Sequence, residues 1–146
     1  MPRRFYLSHM FTHEMQLRVR YGETDQMGYV YYGNYAQYFE VGRVEALRSL
    51  GFPYRRLEEQ GIMLPVRSLN ISYHAPAFYD DLITIRTTIT GMPTARINFT
   101  YHIYNEAGAL LTEAETVLVF VDKATMRPRR APGEFIEAMR SFFDRG

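Results

Sequence analysis

Asp25 is the residue with the clearest capacity for chemistry, because it lies in a loop that leads into a predicted helix. The start of a helix presents unpaired N–H groups and the positive end of the helix dipole. Such groups can stabilise the negative oxygen that forms when a carbonyl is attacked. A carboxylate beside them can act as a nucleophile or as a general base toward water. The alternative is structural, since Asp in a Thr-Asp-x-x-Gly loop commonly forms an Asx turn with its own backbone.

The other reactive side chains do not form a recognisable second site. The absence of cysteine excludes a disulfide scaffold, a zinc–thiolate site and a cysteine nucleophile. His74 and His102 have no Ser and Asp near them in the sequence, and there is no Gly-x-Ser-x-Gly motif and no glycine-rich phosphate loop. His9 and His13 have the i, i+4 spacing of helical metal ligands, but no carboxylate-rich motif accompanies them. We interpret these two as tail residues and predict no metal.

Charged side chains in two regions allow simpler interpretations. Arg127, Arg129 and Arg130 form a basic loop that could bind phosphates or could simply be solvated. On the predicted long helix, charged residues three apart are expected to form exposed ion pairs. These pairs are Glu40 with Arg43 and Glu45 with Arg48.

The element that must position Asp25 is a long helix over residues 34–50. Asn34 is a favoured N-cap residue, and Gln37 could complete a capping box with it. Gly51 and Pro53 provide a stop, because Gly suits the left-handed position after a helix and Pro cannot continue one.

This helix carries apolar residues around most of its circumference, which indicates burial on more than one side. Gly42 in its middle costs about 1 kcal/mol relative to Ala. We therefore expect another part of the chain to approach the helix closely at Gly42.

The remainder of the chain is read mainly as strands, since apolar and polar residues alternate there. An N-terminal arm is predicted over residues 1–13, and strands are predicted at 15–21, 62–73, 83–90, 97–103 and 110–121. Two further helices are predicted at 53–60 and at 133–143, and the second of them lies within a C-terminal segment 133–146. Short connections predict an antiparallel meander of the last four strands. The run from Val117 to Val121 predicts a strand covered on both faces. We expect a two-layer α+β fold whose sheet curls around the helix, and whose apolar outer face promotes self-association.

Composition narrows the function further. The 146 residues suffice for one domain with a substantial core, and 47% of them are hydrophobic. A net charge of +1 gives no indication of a nucleic-acid partner. No segment resembles a membrane span or a signal peptide, and the lack of cysteine fits a cytoplasmic location.

The loop and the helix together resemble the signature of the hotdog-fold acyl-CoA thioesterases, in particular the 4-hydroxybenzoyl-CoA thioesterase branch and its Tol-Pal-associated relatives. The matching residues are Tyr21-x-x-x-Asp25-x-x-Gly28-x-Val30-Tyr31-Tyr32-x-Asn34-Tyr35, followed by the helix to Gly51. The later segments Tyr73-x-x-Pro76-Ala77-x-x-Asp80-Asp81 and Arg127-Pro128-x-Arg130 are similar to that branch as well. The resemblance covers roughly residues 14–132.

The resemblance implies a five-stranded antiparallel sheet wrapped around the long helix, and subunits that join their sheets edge to edge with active sites at the interface. It implies a homodimer or a tetramer that hydrolyses an acyl- or aroyl-CoA thioester without a metal or another cofactor. A non-catalytic module that binds acyl or aromatic ligands is the alternative, because a fold does not fix function. A hydratase is a third possibility, although no His–Asp or His–Glu pair is evident around the loop.

The resemblance also implies roles for single residues. Asp25 would be the catalytic carboxylate, and the backbone N–H of Tyr32 would polarise the thioester carbonyl. The position of Tyr32 is His in some relatives, so the role is assigned to the backbone and not to the side chain. The surrounding residues Gly28, Val30, Tyr31, Asn34 and Tyr35 would bind substrate, and Arg127, Arg129 and Arg130 would meet the CoA phosphates.

Overall fold

The structure is a computed structural model that describes residues 10–143. Its strands are β1 (Met10–Arg18), β2 (Ile62–Met63), β3 (Val66–Tyr73), β4 (Leu82–Thr90), β5 (Arg96–Tyr104), β6 (Leu110–Val119) and β7 (Val121–Asp122). Its α-helices are α1 (Tyr35–Ser49), α2 (Tyr54–Glu59) and α3 (Gly133–Phe143). In the part of the chain that is described, no helix is long and apolar enough to cross a membrane.

The large sheet has five antiparallel strands in the order β1-β4-β5-β6-β3, and a separate two-stranded sheet pairs β2 with β7. The predicted meander is correct for β4, β5 and β6 but wrong for β3, which pairs with β6 instead of β4. The reason is that β1 occupies the free edge of β4, in register from Met10 opposite Thr90 to Arg18 opposite Leu82. Strand β3 therefore lies at the far edge of the sheet, where it has a single neighbour.

Helix α1 packs on the inner face of this sheet, as the sequence predicts. The close approach expected at Gly42 is confirmed: a Cβ atom added there would lie 2.6 Å from Thr87 Oγ1 and 2.9 Å from Ile85 Cγ2. Both side chains belong to β4 and are fully buried. Helix α1 thus rests directly on β4, and this contact fixes the position of the helix over the sheet.

The two ion pairs predicted on α1 have different outcomes. Glu45 and Arg48 do form an exposed pair, with 3.4 Å between Oε1 and Nε. Arg43 does not pair with Glu40; it is buried, and its Nε donates a hydrogen bond of 2.9 Å to the Tyr54 hydroxyl. The approach of α2 to α1 causes the difference, because Tyr54 covers the face of α1 that carries Arg43.

The outer face of the sheet is more polar than predicted. Paired positions on β5 and β6 place His102 opposite Glu113 and Thr100 opposite Glu115 on this face. Along residues 117–121, Leu118, Phe120 and Val121 are buried but Val117 and Val119 are not, so the expectation of a strand covered on both faces is wrong within one chain. The cause is that the helix layer covers only the inner face, so Val117 and Val119 stay partly exposed.

Several element boundaries also differ from the prediction. Strand β1 begins at Met10 and ends at Arg18, so the last part of the predicted N-terminal arm pairs with β4. Residues 1–9, including His9, and residues 144–146 lie outside the described residues. The strand predicted at 62–73 is divided around Pro65, and the strand predicted at 110–121 is divided at Phe120. Proline has no N–H to donate to a ladder, which explains the first break.

Candidate active site

The Asp25 loop is closed by backbone hydrogen bonds into a compact turn between β1 and α1. The N–H of Asp25 donates to the Tyr29 carbonyl at 2.8 Å, and the N–H of Gly28 donates to the Asp25 carbonyl at 3.0 Å. Thr24 and Val30 form an antiparallel bridge that closes the base of the turn. Gly28 has a φ of +83°, which residues with a side chain rarely adopt, and this explains why glycine occupies the turn.

The Asp25 carboxylate is held by one of its two oxygens. Oδ1 accepts hydrogen bonds from the N–H of Met27 at 2.9 Å and the N–H of Tyr29 at 3.4 Å, so the Asx turn considered for this residue is present. The side chain is exposed, and within residues 10–143 its Oδ2 makes no hydrogen bond. The turn therefore orients the carboxylate and leaves Oδ2 available to react with a ligand.

The start of the central helix differs in detail from the prediction. A 3-10 turn over Tyr32–Asn34 precedes α1, and Asn34 has helical backbone angles and makes no side-chain cap. The predicted capping box is therefore wrong, because the Asn34 side chain is engaged elsewhere: its Nδ2 donates to the Glu23 carbonyl at 2.9 Å. The N–H groups of Tyr32 and Gly33 begin the turn and have no acceptor within it, so they remain donors for a ligand.

Asp25 and Tyr32 line a common cleft of about 330 Å³. This volume lies within the range of small-molecule sites. The lining residues are Asp25, Tyr29, Val30, Tyr32, Tyr35, Tyr73, His74, Ala75 and Pro76. Of the residues assigned to substrate binding, Val30 and Tyr35 line the cleft, whereas Gly28, Tyr31 and Asn34 lie in the adjoining loop and turn.

Tyrosines form one wall of the cleft. The Tyr73 hydroxyl donates to the Tyr32 carbonyl at 3.1 Å, and the Tyr73 ring meets the Tyr35 ring edge to face at 5.3 Å between centroids. Burial raises the pKa of both the Tyr35 and the Tyr73 phenol above the ordinary value. These phenols therefore stay neutral near pH 7 and present an amphipathic surface.

A His–Glu pair adjoins the cleft, contrary to the sequence-based expectation that none lies around the loop. His74 Nε2 lies 2.8 Å from Glu113 Oε2, and His102 Nε2 lies 3.4 Å from Glu113 Oε1. The hydrogen bond with His74 is the main reason why the pKa of Glu113 lies below its ordinary value. Sequence reasoning missed the pair because it depends on β3 lying beside β6, where Ser72 stands opposite Glu113.

The three arginines assigned to CoA phosphates do not line this cleft within one chain. Arg127 and Arg130 are exposed, and Arg129 Nε donates to the Arg130 carbonyl at 2.9 Å. Arg130 lines a different hollow, which it shares with Met92, Pro93, Thr94, Ala131, Ile136 and Arg140. Among the described residues, no three His, Asp or Glu side chains are arranged to hold a metal ion.

Comparisons with known proteins agree with the resemblance seen in the sequence. A family model described as the thioesterase-like superfamily matches residues 19–139. The chain is 40% identical over 119 residues to the putative acyl-CoA thioesterase YneP of Bacillus subtilis, covering 82% of this chain and 86% of that protein. It is 38% identical over 120 residues to the acyl-CoA thioester hydrolase YbgC of Escherichia coli, covering 82% and 90%. The solved DHNA-CoA thioesterase of Staphylococcus aureus matches with a TM-score of 0.85 and 35% identity, covering 89% of each chain.

Proposed function

The chain belongs to the thioesterase-like superfamily and is an acyl-CoA thioesterase with the hotdog fold, and we propose that Asp25 and the helix start at Tyr32 carry out its chemistry. The reaction is hydrolysis of an acyl- or aroyl-CoA thioester to the free acid and CoA. The observation that carries the proposal is the unequal use of the two oxygens of Asp25, which lines the cleft: Oδ1 is held by the N–H of Met27 at 2.9 Å, whereas Oδ2 has no hydrogen-bond partner among the described residues.

The thioester carbonyl oxygen accepts a hydrogen bond from the Tyr32 N–H, which stabilises the negative charge that develops on that oxygen. Asp25 Oδ2 then acts in one of two ways. As a nucleophile, it bonds to the carbonyl carbon, expels the CoA thiolate, and forms an anhydride that water cleaves. As a general base, it takes a proton from water while the water oxygen bonds to the same carbon, and the C–S bond of the resulting intermediate then breaks to release the CoA thiolate. Both routes give the acid and CoA, and neither requires a cofactor beyond the CoA of the substrate.

The proposed assembly is a homodimer, or a tetramer of such dimers, formed through the edge of β3. Strand β3 is exposed along nearly all of its length; for example, Val66 is 45% exposed, Leu69 is 41% exposed and Tyr73 is 48% exposed. An exposed edge strand of eight residues is a template for pairing with another chain. Because Tyr73 and the residues that follow it also line the cleft, a second subunit on β3 would complete the binding site.

The CoA nucleotide is proposed to meet Arg127, Arg129 and Arg130, and we place the enzyme in the cytoplasm. The arginine assignment rests on charge: a guanidinium binds phosphate oxygens in a bidentate manner. The three side chains lie outside the cleft of their own chain, so the nucleotide would extend along the dimer interface to reach them.

The test is a panel of aliphatic and aromatic acyl-CoA thioesters with a free-thiol readout, run with binding measurements on the same compounds. We expect release of thiol from at least one class at a rate that depends on enzyme concentration. Tight binding without thiol release would support the alternative of a non-catalytic acyl-binding module. Enoyl-CoA compounds belong in the panel, because water addition without thiol release would indicate a hydratase that uses the His74–Glu113 pair.

A further inference from the structure

Glu23 is a buried carboxylate beside the cleft that the roles assigned so far do not use. Glu23 precedes Asp25 by two residues in the sequence and is only 7% exposed. Oε1 accepts hydrogen bonds from the Arg20 N–H at 2.8 Å and the Tyr38 hydroxyl at 2.9 Å. Oε2 accepts hydrogen bonds from Arg20 Nη2 at 2.8 Å and Nε at 3.2 Å. One carboxylate therefore links the segment that follows β1 to the first turns of α1.

The backbone of Glu23 makes a second set of links to the helix start. Its carbonyl oxygen accepts a hydrogen bond from the Tyr31 N–H and another from Asn34 Nδ2, both at 2.9 Å. Tyr31 directly precedes Tyr32, whose N–H is the proposed carbonyl donor. Residues on both sides of the Asp25 turn are thus attached to Glu23.

The charge of Glu23 is also secured by its surroundings. Burial raises the pKa of Glu23, but the hydrogen bonds from Arg20 and Tyr38 outweigh burial and hold this pKa below its ordinary value. Burial and the bond to Glu23 raise the pKa of Tyr38, so its phenol remains a hydrogen-bond donor. At neutral pH the group is therefore an anion with charge-assisted hydrogen bonds, which are about twice as strong as neutral ones.

We propose that Glu23 is a positioning residue that sets the separation between the Asp25 carboxylate and the Tyr32 N–H. The inference rests on the proposed function, because it assigns Glu23 an effect that is exerted through Asp25. Asp25 follows Glu23 by two residues, and the Tyr31–Tyr32 segment is hydrogen-bonded to the Glu23 carbonyl. Small displacements of reacting groups lower rates strongly, so loosening these links should slow the chemical step.

The first experiment compares two variants that each remove one buried phenol hydroxyl. Tyr38→Phe removes the hydrogen bond to Glu23, whereas Tyr101→Phe removes a core hydrogen bond of 2.7 Å to Thr116 Oγ1, away from the Asp25 loop. Both should lower the melting temperature by a few degrees. We expect Tyr38→Phe to lower kcat about fivefold at unchanged KM, and Tyr101→Phe to leave kcat within twofold of wild type. Equal kcat values for the two variants would overturn the inference.

The second experiment is a double-mutant cycle between Glu23→Gln and Asp25→Asn. The Gln variant keeps the shape of the side chain and removes its charge, and we expect kcat to fall about 10- to 100-fold with KM within threefold. If Glu23 acts through Asp25, the Gln substitution should have almost no further effect in the Asp25→Asn background. Fully additive losses would identify a general structural role and overturn the inference.

The outcomes separate this inference from the proposed function. A large loss in Asp25→Asn together with wild-type activity in Glu23→Gln would overturn the positioning role alone. Near-wild-type activity in Asp25→Asn would overturn both. If Glu23→Gln does not fold, the comparison of Tyr38→Phe with Tyr101→Phe decides the question.

Discussion

Gly42 offers a sharp test of how the central helix is seated, because an added methyl group has opposing effects there. In an exposed helix, Gly→Ala would stabilise the protein by about 1 kcal/mol. Here the new Cβ would lie 2.6 Å from Thr87 Oγ1 and 2.9 Å from Ile85 Cγ2, and both of these side chains are fully buried in β4. Overpacking of this kind costs about 1–3 kcal/mol and should exceed the gain.

We expect Gly42→Ala to lower the free energy of unfolding by about 1–2 kcal/mol, or the melting temperature by about 3–8 °C. Gly133→Ala is the control for the added methyl group, since Gly133 is the first residue of α3 and a Cβ there would meet no atom within 4 Å. The control should be neutral or slightly stabilising. Urea denaturation and thermal melts measure both variants.

A rescue experiment identifies the contact responsible. Thr87→Ala removes the nearer of the two atoms, and its hydroxyl is buried without a hydrogen-bond partner among the described residues. The double variant Gly42→Ala/Thr87→Ala should therefore be more stable than the sum of the two single effects predicts. An increase in melting temperature for Gly42→Ala alone would refute the reasoning, because α1 could not then rest on β4 at this point.

Three further predictions concern charge, assembly and CoA recognition. Because the pKa of Glu23 is lowered in the folded state, the ionised carboxylate stabilises the protein above its ordinary pKa of 4.5, and this stabilisation is lost as the pH falls through the pKa of the folded state. Urea denaturation should therefore show that wild type loses stability in this acidic range more steeply than Glu23→Gln does. Light scattering at micromolar concentration should give a mass of at least two chains, and Leu69→Lys on the exposed edge of β3 should reduce the mass toward one chain, whereas Leu69→Met should not. Arg130→Gln should raise KM for an acyl-CoA but not for the corresponding acyl-pantetheine, while Arg55→Gln, in the exposed ion pair with Glu59, should change neither.

Local signals were sufficient to predict the central helix and most strands. The helix predicted at 34–50 is observed as Tyr35–Ser49, because its breaker residues and its apolar surface act within the segment itself. The strands at 83–90 and 97–103 are likewise close to β4 and β5, since alternation of apolar residues reports directly on which face is buried. The Asp25 loop was located by the same kind of local pattern.

Features that depend on distant parts of the chain could not be predicted from local patterns. The place of β3 depends on β1 occupying the edge of β4, and the His74–Glu113 pair depends in turn on the place of β3. Glu23 resembles any loop carboxylate in the sequence, and only the packing of Tyr38 against it reveals that it is buried. The same holds for Arg43, whose burial depends on the approach of Tyr54.

The most direct test of the central claim is steady-state hydrolysis by Asp25→Asn on the best acyl-CoA substrate of the panel. Asn keeps the side-chain oxygen that accepts the Met27 N–H, so the turn and the melting temperature should be preserved. Removal of the negative charge should lower kcat by about a thousandfold, which corresponds to about 4 kcal/mol of activation free energy, with little change in KM. Hydrolysis within a few-fold of the wild-type rate would contradict the account, because the Asp25 carboxylate would then serve only to close its turn.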